Sequence, residues 1–206
     1  KEFNAELLLE VFEESPFLEK FYADRERYAF QTQIFFLLSR FHQQNRVVRE
    51  ILGHSSLVSD YTFAKDRLFA HLNLKGDELA LYEEIHAILA DRIPVPNLVV
   101  YLRADTDVLM ERIAFRDRPY ERNMDWDYID ELRRAYEFFF ASCGVSRLPR
   151  GLTALSPYDQ APVLTVDTNN LNYVRNPEDL AYVVRRIRTA LQEGVYQAPL
   201  PSFPPD

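Results

Sequence analysis

The sequence predicts an α/β protein built on a doubly wound parallel sheet with helices on both faces. Three observations lead there. Short apolar runs alternate with longer amphipathic runs along the whole chain, the pattern of strands joined by crossover helices. One run, Leu98 to Leu102 (LVVYL), is apolar at every position, as a parallel strand covered on both faces requires. Finally, 47% of the 206 residues are hydrophobic and 14% aromatic, enough to build one core without a disulfide framework.

The elements follow in order. Glu6 to Val11 (ELLLEV) reads as a strand with a carboxylate, Glu10, inside an apolar run. Phe17 to Asp24 reads as a short helix after Pro16. Tyr28 to Leu52 reads as one long helix, with Ile34, Leu38, Phe41, Val48 and Ile51 near helical spacing and Gly53 as its stop. Leu57 to Asp60 (LVSD) is a second strand. Asp77 to Arg92 is a helix with Leu79, Tyr82, Ile85 and Leu89 on one face, closed by Pro94 and Pro96. After the Leu98 strand come helices over Thr106 to Phe115 and Asp125 to Ser142, then a loop from Ser146 to Pro162. Val163 to Val166 is the last strand and Pro177 to Gln192 the last helix. Residues 1–193 form a single domain, and the proline-rich tail over 194–206 stands outside it.

Composition narrows the function classes. A formal net charge of −8 disfavours general nucleic-acid binding, which needs clustered Lys and Arg. No apolar run reaches the length of a membrane span. A lone cysteine, Cys143, cannot form an internal disulfide, and a cytoplasmic location is expected. The histidines His42, His54, His71 and His86 make no pair at metal-ligand spacing.

In a parallel α/β sheet the ligand sits beyond the carboxyl ends of the strands. Those ends carry Glu10, Asp60, Arg103, Asp105 and Asp167, read either as a site or as solvent-facing charge. The sharpest local signal is ERIAFRDRPYE, Glu111 to Glu121. Arg112 and Arg116 sit one turn apart, with Arg118 just beyond. Like charges so placed repel unless an anion lies between them, and guanidinium groups suit phosphate oxygens. A solvated basic face is the alternative. Glu10 suits a general base for an attacking hydroxyl, or else a strand-end glutamate paired with an arginine, and Asp60, closing an apolar strand, suits a Mg²⁺ site. Gln33 and Arg40 share a face of the long helix among aromatic residues; the Gln33 amide offers a donor and an acceptor to a base edge.

The chain resembles the deoxynucleoside kinases, particularly the bacterial deoxyadenosine and deoxyguanosine kinases. The resemblance runs from about Glu6 to Leu191 and rests on ELLLEVFEESPFLEKFYAD, AFQTQIFFLLSR, VVREILGHSSLVSDYTFAKDRLFA, ERIAFRDRPYE and VDTNNLNYVRNPEDL, in that order. It implies a P-loop kinase-type fold with an arginine-rich lid, ATP as phosphate donor, Mg²⁺, and a deoxynucleoside acceptor. It also implies roles. Glu10 matches the base for the 5′-hydroxyl. Tyr22 and Glu121 match the pair that holds the sugar 3′-hydroxyl. Gln33 matches the glutamine that pairs with the base, and Arg40 and Asp66 match residues that read the base edge in purine-accepting members. Asp60 matches the acidic residue of the Mg²⁺ site. Arg112, Arg116 and Arg118 match lid arginines that close on the ATP phosphates. A homodimer through the long helices is implied, or a heterodimer with a paralogue.

Two departures stand out. Tyr61 follows Asp60 where the family often carries an arginine that contacts the 5′ region. The sequence also holds no G-x-x-x-x-G-K-[ST] run, the family's phosphate loop. The strand before that loop is expected between LVSD and LVVYL, so the expectation is that the chain lacks its first strand and loop. Two alternatives accompany the kinase reading. One is a nucleoside monophosphate kinase, which needs extra basic residues for the acceptor's phosphate. The other is a non-catalytic partner or scaffold of the same fold.

Overall fold

The structure, a computed structural model, describes residues 2–10, 15–142 and 161–193. Val11, Cys143, most of the expected loop before Pro162 and the tail over 194–206 lie outside the described residues.

Strands and helices alternate as expected: β1 (Ala5–Leu8), α1 (Leu18–Ala23), α2 (Arg25–His42), α3 (Arg49–Leu52), β2 (Ser56–Ser59), α4 (Ala64–Asn73), α5 (Gly76–Ala90), β3 (Val99–Arg103), α6 (Thr106–Arg116), α7 (Trp126–Ser142), β4 (Val163–Asp167) and α8 (Pro177–Glu193). All pairing is parallel. β1 lies beside β2 with Leu8 opposite Ser59, and β3 beside β4 with Arg103 opposite Asp167. Among the described residues the strands form these two parallel pairs. The strands are accordingly less covered than a parallel sheet buried on both faces: Leu7, Leu9, Val58 and Leu102 are exposed.

The long helix departs from expectation at both ends and in the middle. It starts early because Asp24 caps it, its carboxylate accepting from the Arg27 amide at 3.3 Å. Between α2 and α3 the chain winds as a π turn over Gln43–Val48, burying Gln44 and Val48. Gly53 does end α3, with an ordinary right-handed backbone (φ −67°). The left-handed cap occurs instead at Asp117 (φ 48°, ψ 43°), which stops α6 and turns the chain toward Arg118. Arg122 fixes that turn with two hydrogen bonds to the Asp117 carboxylate, at 2.8 and 3.1 Å.

Helix α4 was hidden from sequence reading. Its buried positions, Ala64, Asp66, Leu68 and Ala70, alternate as in a strand, and one of them is a carboxylate. The helix is enclosed on several sides, by α2, α5 and α7.

The main core lies among these helices, around Phe21, Leu37, Phe63, Leu74 and Tyr82. A second core joins β4 to α8 through Leu164, Val166, Val183 and Ala190. A third, of Leu8, Val48 and Tyr61, sits under β1 and β2. His86 is part of the main core by contact, its ring 4.9 Å from that of Phe63. Burial pushes its pKa from 6.5 down to about 4, so the ring is neutral in the folded protein. The unfolded chain binds a proton between those values and the folded one does not, so stability falls as pH drops below 6.5. Urea midpoints should show His86 contributing a loss of about 2 kcal/mol between pH 7 and pH 5. In His86→Phe that portion of the loss disappears; equal losses in both proteins would rule the assignment out.

Candidate active site

The parallel register of β1 and β2 brings two carboxylates together. Each strand ends just before one of them, and the Asp60 amide donates to the Leu8 carbonyl at 3.3 Å. The Glu10 amide in turn donates to Asp60 Oδ1 at 2.8 Å. Both residues open onto a cavity of about 650 Å³. Tyr22, Gln33, Arg40, Arg112, Arg116, Arg118 and Glu121 line the same cavity, from elements spread over most of the chain. Asp66 is the exception among the residues expected from sequence: it lies fully buried behind Arg40 rather than at the wall.

Charge at the Glu10 end is closely matched. Arg40 donates through Nε to Glu10 Oε1 at 2.7 Å, and its two terminal nitrogens reach Glu10 and Asp66. It also lies 4.8 Å over the Phe36 ring. Lys65, which sequence reading missed, donates to Glu10 Oε2 at 2.9 Å. Burial alone would raise the Glu10 pKa, but Lys65 and Arg40 outweigh it and leave the carboxyl below its ordinary value. Glu10 is therefore ionised, the state a proton acceptor needs.

The middle of the cavity is less charged. Gln33 is buried, yet its amide has no partner among the described residues and faces the cavity. Thr32 beside it has a buried hydroxyl, likewise without a partner among the described residues. Tyr22 stacks on Tyr120 at 6.1 Å with the rings 9° from parallel. Burial raises the Tyr22 pKa, keeping the phenol protonated and able to donate. Tyr101, Tyr136 and Phe140 form a stack whose two tyrosines back the cavity.

The arginines of the α6 region do not meet at one point. Arg112 donates to Thr168 Oγ1 at 2.9 Å, to the Thr168 carbonyl at 2.6 Å and to the Leu171 carbonyl at 3.2 Å. Those bonds anchor it to the loop after β4. Arg116 holds Glu121 Oε2 through Nε and a terminal nitrogen, at 3.0 and 2.7 Å, and Arg118 approaches the other oxygen at 3.6 Å. The strand-end charges divide as well. Arg103 is bound at once by Glu137, Asp167 and Asp105, and Asn169 ties the two aspartates together. That network joins β3 to β4 and leaves the cavity to Glu10 and Asp60.

The cavity thus combines separately anchored guanidinium groups, an ionised carboxylate and a less charged middle on an α/β frame. The deoxynucleoside kinase family model matches residues 1–192. The chain belongs to the deoxynucleoside kinase family. Among curated relatives, the deoxyguanosine kinase of Bacillus subtilis (strain 168) is 28% identical over 189 residues, covering 91% of this chain and 86% of its own. The deoxyadenosine/deoxycytidine kinase of the same organism is 24% identical over 196 residues, covering 90% and 81%. Among solved structures, the deoxyadenosine kinase from M. mycoides with products dCMP and a flexible dCDP bound superposes with a TM-score of 0.71 at 20% identity, covering 90% of this chain and 86% of that one. The members of this family are ATP-dependent phosphotransferases, and the P-loop kinase-type fold is shared with the M. mycoides enzyme.

A Mg²⁺ ion takes few protein carboxylates and completes its octahedron with water and phosphate oxygens. Asp60 fits that role in part: it is exposed at the cavity, and among the described residues Oδ1 accepts from the Glu10 amide. Among the described residues no cluster of three or more His, Cys, Asp or Glu forms a cage that would hold a metal alone. No helix among them is long and apolar enough to cross a membrane.

The Arg40 cluster also makes a stability prediction. Removing Arg40 leaves Asp66 as a buried carboxylate with no counter-charge. Urea denaturation of Arg40→Met should show a loss of about 3–5 kcal/mol, and adding Asp66→Leu should recover much of it. A double variant no more stable than Arg40→Met would contradict this.

Proposed function

We propose that the protein transfers the γ-phosphate of ATP to the 5′-hydroxyl of a purine deoxynucleoside, a nucleotide-salvage reaction of the cytoplasm. The observation that carries this reading is the polarity of one cavity. An ionised, doubly held Glu10 stands at one end. The Tyr22 and Glu121 pair and the α6 arginines line the rest of the wall.

In this reading the base enters between Gln33 and the aromatic residues. The Gln33 amide pairs with the base edge, and Arg40 with Asp66 behind it favours a purine. Tyr22 donates to the 3′-hydroxyl and Glu121 accepts from it. Glu121 is already bonded to Arg116, so an arriving sugar competes with that arginine for the carboxylate. Freed from Glu121, Arg116 turns to the ATP phosphates beside Arg118, and Arg112 contributes from its anchor on Thr168. Closure of this segment excludes water from the transferring phosphoryl group. Mg²⁺, held through Asp60, supplies charge neutralisation between the phosphates when bound. Glu10 takes the proton of the 5′-hydroxyl.

A phosphate-cradling loop on a further strand completes the site in this reading. The unpaired edges that β2 and β3 present among the described residues support such a strand. The set of Tyr22, Gln33 and Glu121 favours a nucleoside over a nucleoside monophosphate as acceptor.

The test is ATP- and Mg²⁺-dependent phosphorylation of deoxyadenosine, deoxyguanosine, deoxycytidine and thymidine by the full chain. A purine deoxynucleoside should be turned over fastest, and Glu10→Gln should lower kcat by about 10²- to 10⁴-fold with nucleoside binding retained. Thymidylate phosphorylation without nucleoside phosphorylation would favour a monophosphate kinase. Folded protein inert toward all these acceptors would favour the scaffold reading.

A dimer of two copies, or of one copy and a paralogue, is part of the same proposal. Helix α5 carries Leu81 and Ile88 exposed, two turns apart on one face, and neighbouring α2 carries exposed Leu38. Light scattering should give twice the chain mass for the native protein and the monomer mass for Ile88→Glu. A native protein that elutes as a monomer at micromolar concentration would remove this part.

A further inference from the structure

Lys65 lies inside the segment VVREILGHSSLVSDYTFAKDRLFA without a role assigned to it there, yet its ammonium sits against the proton acceptor of the site. It is the second residue of α4, so its side chain leaves the first turn of that helix toward the cavity. Its Nζ lies 2.9 Å from Glu10 Oε2, while Arg40 occupies Oε1 on the other side of the carboxylate.

The two cations are held very differently. Arg40 is clamped between two carboxylates, Glu10 and Asp66, and packed on the Phe36 ring. It cannot leave Glu10 without stranding charge. Lys65 has Glu10 as its polar partner among the described residues, with its Nζ 5.6 Å from the centre of the Phe69 ring. An ammonium has three donors, and one is in use. Burial, then the neighbouring Arg40, makes Lys65 easier to deprotonate than an ordinary lysine; the Glu10 carboxylate opposes this and holds the proton in place. A further anion would hold it more firmly.

Position 61 supplies no alternative cation. The Tyr61 hydroxyl turns away to donate to Gln43 Oε1 at 2.7 Å. The charges gathered at this end are therefore the carboxylates of Glu10, Asp60 and Asp66 against Arg40 and Lys65. With Lys65 that end carries one net negative charge and without it two, so Lys65 halves the charge that opposes a phosphoryl group arriving at a hydroxyl on Glu10.

We propose that Lys65 is a phosphoryl-binding residue: it holds Glu10 until the phosphoryl group lands on the 5′ oxygen, and then donates to that group's oxygens. The proposal rests on the kinase reading and adds a catalytic residue to it. As the 5′ oxygen bonds to the γ-phosphorus, the bond from phosphorus to the bridging oxygen breaks and ADP leaves with its electron pair. The hydroxyl proton passes to Glu10. Neutralised, Glu10 no longer attracts the ammonium, which is released toward the new phosphate with its own proton retained.

Binding separates this role from simple support of the fold. Calorimetry on the full chain would compare deoxyguanosine with its 5′-monophosphate, and deoxyadenosine with its own, for the native protein, Lys65→Met, Lys65→Arg and the exposed control Lys75→Met. Lys65→Met should weaken the monophosphates by about 10- to 100-fold and leave the nucleosides within about threefold. Lys65→Arg should restore most of the monophosphate affinity, and the control should match the native protein. In turnover, kcat of Lys65→Met should fall about 10²-fold with little change in nucleoside KM. If Lys65→Met does not fold, Lys65→Gln, which keeps a donor and removes the charge, makes the same comparison. Equal loss for nucleoside and monophosphate, no loss for either, or a native protein that binds no monophosphate overturns the proposal. Selective loss in a protein that transfers no phosphate from ATP keeps Lys65 as a phosphate site and removes the kinase reading.

Discussion

The ion cluster of Glu10, Arg40, Asp66 and Lys65 is the constraint on which the site depends. It joins three elements remote in sequence: the end of β1, the last turn of α2, and the first turn of α4. Buried charges must be balanced, because each is costly to remove from water and strongly destabilising if its partner is lost. The requirement works in both directions. It fixes α2 and α4 against the strand, and it keeps Glu10 ionised and oriented at the cavity wall. Asp66 gives the clearest case of a site residue acting from behind: it touches no cavity space, but it holds Arg40 in place.

A second ionic arrangement governs the opposite wall. Glu121 is buried and bonded by Arg116, while Arg112 is anchored on the loop after β4. The arginines are thus stored on internal partners rather than left facing one another across a solvent-filled gap. The left-handed turn at Asp117 makes this possible, since it ends α6 between Arg116 and Arg118 and sends the two toward Glu121 from different sides. Glu121 thus restrains an arginine from a buried position on the cavity wall.

The architecture around these clusters is modest in its strands and generous in its helices. Among the described residues the strands form two parallel pairs, and the main core lies between helices rather than on a sheet face. The strands chiefly deliver charged residues at their carboxyl ends. At β3 and β4 those charges are spent on one another through Arg103, whereas at β1 and β2 they open onto the cavity. Identical sequence logic, an apolar strand ending in a carboxylate, therefore has two outcomes in one molecule.

Much of this was legible along the chain because it depends on local order. Strand and helix alternation, the paired arginines of α6, the carboxylate within ELLLEV and the aspartate closing LVSD are all patterns a few residues long, and their spacing alone restricts what they can be. What the sequence could not supply was which charges meet. Helix α4 is short and buries a carboxylate, Asp66, on its inner face, and neither it nor Lys65 was assigned from the sequence. Nor could spacing tell that Arg116 rests on Glu121, or that Arg103 consumes Asp105 and Asp167. A charge announces its type in the sequence, but its partner is set by packing across long sequence separations, and in a low-dielectric interior the partner decides whether the charge is structure or chemistry.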